Sequence, residues 1–302
     1  MTHKVSIIMP AYNVSGTISE SIESVLKQTY KNWELVIVND CSKDDTLQVI
    51  APFIQAEPKI KLVDLTKNVG LPAARNAGVE NAIGEFIAFL DSDDLWSPEK
   101  LKSQINFHIK NPDCAISHTD FEAFNQNGKV KRPLKKILES NKLKRGVLLP
   151  TLYYKNLIGV LTVMMKKNLF WEVGGFDASL WTLEDHDLWI RIAEKGYQYG
   201  YLRNVLASYR ISPNGISKTL GKYKKAQKTF AEKHVLKIQK SKPVADKTKG
   251  NYYRHFGTAY FKKGEHKIAH LYFLKSLRLH GVSIISITTI IYMCYNYLKK
   301  IK

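Results

Sequence analysis

Three carboxylates, Asp91, Asp93 and Asp94, crowd into four positions of "FLDSDDLW" (Phe89–Trp96), directly behind the apolar run "EFIAFL". Like charges this close repel, so the cluster calls for a partner. The oxygen donors of Asp91-Ser92-Asp93 suit Mg2+ or Mn2+. Such a cation can bridge to a diphosphate and neutralise it as a Lewis acid. The same residues also suit a turn and N-cap ahead of Pro98, and D-x-D alone does not choose. A second acidic group lies in "TLEDHDLWIR" (Thr182–Arg191), where Glu184, Asp185 and Asp187 flank His186. A carboxylate there can take the proton of a hydroxyl as a general base. Acidic residues opening a helix also complement its dipole. His186 has no second histidine at zinc spacing.

Three further positions carry polar chemistry. Asp40, in "NDCS", can accept from a base N–H or a ribose hydroxyl, or can cap the helix that follows. Tyr12, in "PAYN", can stack on a base or pack as an aromatic. "NVGLPAARNAG" (Asn68–Gly78) combines small residues, which allow close backbone approach, with Arg75, which can reach a phosphate or sit in a surface ion pair.

The surrounding pattern says what must position these groups. Val5–Met9 reads as a buried strand, and "ELVIVND" (Glu34–Asp40), "IKLVDL" and "EFIAFL" read as three further strands. Ser15–Gln28, Asp44–Gln55, Pro72–Asn81 and Pro98–Ile109 have helical spacing. The alternation predicts βαβ units: an α/β fold with a mostly parallel central sheet flanked by helices. Ligands of such sheets bind beyond the carboxyl ends of the strands. "PAYN", "NDCS", "TKNVG" and "DSDD" all fall on that rim. Past Lys110, "AISHTDFEAF" and "VLTVMMK" (Val160–Lys166) read as strands. Residues 125–150 read as loops with a short helix, and "SLWTLEDHDLWIRIAEKG" as a loop feeding a helix. Lys222–Lys240 reads as one helix and Asn251–Leu279 as a helical hairpin turning at Lys263–Gly264.

Charge divides the chain in two. The total is +19 over 302 residues, yet the segment from Lys218 onward carries 20 Lys and Arg against 3 Asp and Glu. That leaves about +2 for the first 217 residues. The division predicts a domain at 1–217 and a basic helical extension at 218–302. A basic extension favours an anionic membrane surface, nucleic acid or an acidic polymer. Near its end, Val282–Leu298 is apolar without formal charge. It is shorter than the ~20 residues of a membrane span and is suited to lying on a membrane or packing on protein. The N-terminal residues lack a secretory pattern, and Cys41, Cys114 and Cys294 lack metal or disulfide spacing. These features predict a cytoplasmic protein, peripheral on the inner face of the cytoplasmic membrane.

Taken in order, "VSIIMPAYN", "SIESVLKQTYKNWELVIVNDCSKDDT", "NVGLPAARNAGVENAIGEFIAFLDSDDLW", "VGGFD", "LEDHDLWIR" and "YRISPNGIS" resemble the family 2 inverting glycosyltransferases of GT-A nucleotide-sugar fold. The resemblance runs from Val5 to about Ser217. It implies that Tyr12 and Asp40 hold the nucleoside, most often uridine, with Pro10, Ala11, Asn68, Arg75 and Ser92 also lining the donor site. It implies that Asp91 and Asp93 handle the Mn2+ or Mg2+ and the diphosphate, with Asp94 nearby. Of the acidic pair Glu184 and Asp185, Asp185 is the favoured base, and Gly174, Gly175 and Trp181 fall on the acceptor side. The implied reaction is displacement at the anomeric carbon with inversion, moving a hexosyl or N-acetylhexosaminyl group from a nucleoside-diphosphate sugar to a saccharide or polyprenyl-linked saccharide. Asn39 stands where the family often has Asp, and no His stands in "YRISPNGIS". No Q-x-x-R-W motif follows the acidic pair, which implies addition of a single sugar rather than processive polymerisation. The pattern looks most like bacterial enzymes that build capsule, teichuronic-acid-type or lipopolysaccharide sugars.

Two other classes fit less well. A nucleotidyltransferase of this fold would need a glycine-rich basic loop for a triphosphate, and "MPAYNVSGT" has neither the basic residue nor enough glycine. A specific nucleic-acid binder would carry a recognition signature beside its charge, and none is present.

Overall fold

The structure is a computed structural model that describes residues 3–126, 128–130, 149–211, 220–236 and 242–280. Val282–Leu298, Cys294 and most of "YRISPNGIS" lie outside the described residues. The chain divides into two compact units: Met1–Val147 with Ile158–Thr219, and Leu148–Leu157 with Leu220–Lys302.

In the first unit, β1 (Val5–Ala11) and β2 (Trp33–Asn39) are buried at every position. Their mostly apolar runs suit a sheet covered on both faces, and the buried Ser6 and Glu34 within them are hydrogen-bonded to each other. With β3 (Ile60–Asp64) and β4 (Phe86–Phe89) they pair in parallel in the order β3-β2-β1-β4. Helix α1 (Ile18–Leu26) buries Ile18, Ile22 and Val25 along one stripe. It starts later than Ser15 because the preceding amides find other acceptors: Val14 N–H donates to Thr46 Oγ1 and Ser15 N–H to Asp44 Oδ2. Helix α2 covers Thr46–Ala56. Helix α3 (Leu71–Glu80) lies so close to the sheet that a Cβ on Gly78 would come within 2.5 Å of Ile8 Cγ2. The small residues of "PAARNAG" set this depth, and with it the reach of Arg75.

The sheet then changes character. After β5 (Leu95–Trp96) and α4 (Lys100–Lys110) come β6 (Ile116–Asn125) and β7 (Gly128–Val130). Residues Leu149–Leu152 form the short α5, which belongs to the second unit, and β8 covers Met164–Lys166. Helix α6 is Lys167–Glu172, α7 is Glu184–Glu194 and β9 is Tyr199–Arg210. Among the described residues the full sheet has nine strands, ordered β3-β2-β1-β4-β8-β6-β9-β5 with β7 beside β6. The β4–β8, β8–β6, β6–β7 and β9–β5 pairings are antiparallel and β6–β9 is parallel, so the sheet is mixed. The strand expected over Val160–Lys166 is shorter than its apolar run. Val160–Thr162 is a 3-10 turn whose last two carbonyls are taken by side chains, Leu161 O by Trp96 Nε1 and Thr162 O by Gln104 Nε2.

The second unit packs aromatic rings. Helix α8 (Leu220–Phe230) continues as a π-helical turn through Ala231–Val235. Helices α9 (Lys242–Lys262) and α10 (His266–His280) form the hairpin, with Gly264 at φ 79° in the turn. Tyr260 and Phe273 are buried between them, and Gly257 lets the Phe273 ring approach the α9 backbone.

Candidate active site

The carboxyl ends of β1 to β4 gather the rim segments. Pro10 and Ala11 are buried inside β1, where Ala11 O accepts from Asp40 N–H. Tyr12 is the first residue past the strand and is 48% exposed, an aromatic face open to solvent. The loops behind it are laced together. Asn13 Oδ1 accepts from Lys43 N–H, and Ser42 Oγ accepts from Asn13 N–H. Asn13 and Cys41 both take positive φ there, a conformation that side chains adopt at a cost of about 1 kcal/mol or more.

Asp40 is buried and does not cap α2. Its Oδ1 accepts from Val69 N–H at 2.7 Å and its Oδ2 from Gly70 N–H at 2.9 Å, while its carbonyl accepts from Asn68 Nδ2. The turn before α2 is instead held by Asp44. Burial works against ionisation of that carboxyl, but bonds from Thr46 and Ser15 pull it down to about 2. Asp40 thus fixes the Asn68–Gly70 loop. Gly70, at φ 85°, brings the loop against Trp181, whose ring would lie 3.1 Å from a Cβ at that position.

Arg75 lies at the centre. It is 1% exposed, so it is no surface ion pair. Its Nη1 donates to Glu184 Oε1 and its Nη2 to Asp91 Oδ1, each at 2.6 Å, and its guanidinium sits 5.5 Å from the centre of the Phe176 ring. Burial acts to discharge it, but Asp91 and Glu184 keep it firmly protonated. Burial, and then the neighbouring Asp185, pushes the Glu184 carboxyl up while Arg75 opposes them. One side chain therefore joins the D-x-D turn to the acidic pair, segments about 90 residues apart in sequence.

Within "DSDD" the carboxylates differ. Asp93 is pushed up to about 6, by burial first and then by Asp91. Asp94 is 1% exposed and pushed up further by burial and both neighbours. Its Oδ1 accepts from Arg210 N–H at 2.8 Å, whereas its buried Oδ2 has no hydrogen-bond partner. Arg210 also donates Nε to Asp93 O and Nη2 to Glu20 Oε2, and it stacks on Phe124. Ser92 is buried, its carbonyl accepting from Thr17 Oγ1.

The oxygen donors of this turn bear on a divalent cation. Among the described residues no cluster of three or more His, Cys, Asp or Glu has cage geometry. Mg2+ and Mn2+ do not require one, being held by one or two carboxylates with water and substrate phosphates. Asp93, crowded by Asp91 and driven toward protonation, is a hard oxygen donor whose charge a cation would balance. Asp91 and Asp93 fit such an ion.

On the opposite side, α7 opens at Leu183, which adopts φ 73°. That left-handed residue turns the chain so that Glu184 faces inward while Asp185 stays partly exposed, its Oδ1 accepting from His186 N–H. His186 and Asp187 are buried, and Asp187 pairs with Arg191. Arg191 donates to the carbonyls of Val173 and Gly175, and Asn76 of α3 bonds both ways with the Phe176 backbone. Gly174 and Gly175 both have positive φ in this stitched loop. Arg210, Asn76 and Arg191 received no role from the sequence, although each lies inside a quoted motif. Partners 100 or more residues away along the chain gave Asn76 and Arg210 no local signal.

The model of Glycosyl transferase family 2 matches residues 6–174. This chain belongs to that family. The transferase is 34% identical over 227 residues to TuaG of Bacillus subtilis (strain 168), whose name places it in teichuronic acid biosynthesis; the match covers 75% of this chain and 85% of TuaG. It is 38% identical over 231 residues to WfgD of Escherichia coli, a UDP-Glc:alpha-D-GlcNAc-diphosphoundecaprenol beta-1,3-glucosyltransferase, covering 74% and 83%. Its fold matches the crystal structure of S. aureus TarS residues 1–349 in complex with UDP-GlcNAc, with TM-score 0.65 and 19% identity over 97% of this chain and 89% of that one. The transferase has the GT-A-type fold, with its helical C-terminal unit in addition.

Proposed function

We propose that this transferase moves a single hexosyl or N-acetylhexosaminyl group, with inversion, from a UDP-sugar to a hydroxyl of a saccharide or lipid-linked saccharide in bacterial surface polysaccharide synthesis. The observation that carries the reading is Arg75, which ties the D-x-D turn to the acidic pair at 2.6 Å on either side. The names of TuaG and WfgD support the polysaccharide setting, and that of WfgD supports a UDP-sugar and a lipid diphosphate acceptor.

In this reading Tyr12 stacks on the base, and Asp40 holds the Asn68–Gly70 loop that shapes the nucleoside site. A divalent cation at Asp91 and Asp93 would supply Lewis-acid neutralisation of the leaving diphosphate. Asp185 takes the proton of the acceptor hydroxyl. The new bond forms from that oxygen to the anomeric carbon, and the bond from that carbon to the diphosphate oxygen breaks. Glu184 is already engaged by Arg75 and holds the pair in register. Trp181 and the Gly174–Gly175 loop receive the acceptor. Release after one addition agrees with the absence of a Q-x-x-R-W motif.

Calorimetry of UDP with and without Mn2+, on the native chain and Asp93→Ala, tests the reading. Mn2+-dependent binding lost in the variant is the expected result. Equal binding by both would remove Asp93 from the diphosphate site, and a panel of UDP-sugars with the native chain then identifies the donor.

A further inference from the structure

The side of α10 that faces solvent has a definite composition. Lys267, His270, Leu271, Leu274, Lys275 and Arg278 recur at helical spacing and are all exposed, while Ala269, Phe273 and Ser276 are buried on the other side. Leu271 is 58% exposed and Leu274 is 36% exposed. The two leucines occupy the middle of the face. Lys267 and His270 flank them toward the N-terminus, Lys275 and Arg278 toward the C-terminus, over a length of about 16 Å. Helix α10 contains no Asp or Glu. The Lys275 ammonium lies near the Tyr253 and Tyr272 rings, 5.5 and 5.9 Å from their centres.

A basic helix face suits either a soluble polyanion or an anionic lipid surface, and the leucines separate the two. A polyanion in water offers nothing to a pair of exposed leucines. A lipid surface accepts apolar side chains at the acyl boundary and cations at the phosphates just above, with Lys and Arg stems spanning the step. The charge agrees, since the segment from Lys218 onward has 20 basic residues against 3 acidic ones. We infer that this face docks the transferase on an anionic membrane, with Leu271 and Leu274 entering the acyl boundary and Lys267, Lys275 and Arg278 pairing with headgroup phosphates. Helix α10 then lies in the membrane plane. Among the described residues no helix is long and apolar enough to cross a membrane. The inference adds a partner to the transferase reading, because a lipid-linked acceptor would be presented at the same interface.

The test is co-sedimentation of the whole chain with phosphatidylcholine vesicles, with and without phosphatidylglycerol. The native chain is expected to bind the anionic vesicles, and salt to weaken the binding. The double variant Leu271→Ser with Leu274→Ser keeps every charge and is expected to partition about tenfold more weakly. Lys267→Gln with Arg278→Gln is expected to lose most of the preference for phosphatidylglycerol. A leucine variant that binds as tightly as the native chain would overturn the assignment in favour of charge alone, and no binding by the native chain would overturn the docking itself. Melting midpoints check that the exposed substitutions leave the fold intact, and the single Leu271→Ser repeats the test if the double variant melts early. UDP calorimetry on the same samples reports the donor site separately, so either reading can fail without the other.

Discussion

Asp91 and Glu184 share one guanidinium: Arg75 donates to both at 2.6 Å from a position that is 1% exposed. A buried cation with an anion on each side is stable only while all three are present. Arg75→Ala would leave the buried Glu184 and the 25% exposed Asp91 without their shared partner, at a cost of up to about 3–5 kcal/mol. The sharper variant is Arg75→Lys, which keeps the charge but loses the planar fork. Its melting point is expected to fall only modestly while kcat falls about 100-fold or more, because the acidic pair loses its register to the D-x-D turn. Wild-type kcat in Arg75→Lys would reduce the shared guanidinium to a packing feature.

The acidic pair divides its work by exposure. Glu184 is 6% exposed and spoken for by Arg75, whereas Asp185 is partly exposed at the first turn of α7. Asp185→Asn is therefore expected to lower kcat by about 100- to 10,000-fold with UDP affinity unchanged. Glu184→Gln keeps the shape but weakens the bond to Arg75, so its main effect is expected on stability and on Mn2+-dependent UDP binding. Single-turnover rates beside calorimetry distinguish them. The reverse pattern would make Glu184 the base.

Asp40 and Gly70 set the seat of Trp181. Both Asp40 oxygens hold backbone amides of the loop, and Gly70 meets the indole at a φ that penalises any side chain. Gly70→Ala is expected to cost about 1–2 kcal/mol and to displace the ring. The readouts are a shift in tryptophan emission and a rise in the acceptor KM larger than that in the donor KM. Unaltered emission and acceptor KM would detach Trp181 from the acceptor side.

What could be read beforehand follows from how local each signal is. β1 and β2 are mostly apolar runs and α1 has an apolar stripe, so their patterns show in the residues themselves. The strand-end rule then places "PAYN", "NDCS" and "DSDD" on one rim without coordinates. β9 was not legible, because "YGYLRNVLASYR" mixes exposed polar positions with buried ones and its pairing with β6 shifts register near Asp120. The antiparallel β8 was hidden in a longer apolar run whose first half is spent on hydrogen bonds to Trp96 and Gln104. Within the site, residue types could propose Asp91, Asp93 and Asp185, but only tertiary contact shows that Asp40 clamps a loop, that Asp187 belongs to Arg191, and that Arg210 braces the D-x-D turn.

Lys100 offers a pH test away from the reaction. It is fully buried in α4, above the Trp96 ring, and its ammonium donates to the Gln104 side chain and to Thr162 O. The same network continues from Gln104 through Ser117 to His108, also buried, whose imidazole is pushed down to about 4, chiefly by burial. Burial lowers Lys100 from 10.5 to about 7. Between those values the unfolded chain binds one more proton than the folded chain, so folding stability from this group rises with pH across that window. Below pH 7 both states are protonated and the destabilisation is at its fullest. Lys100→Met removes the titration and keeps much of the volume. Its unfolding free energy in urea titrations is expected to exceed that of the native chain most at and below pH 7, the gap closing by about 2–3 kcal/mol from pH 7 to pH 9.5. Parallel curves would mean that Lys100 titrates as it does in water. A gap that widened with pH would reverse the sign and place an uncounted anion beside the ammonium.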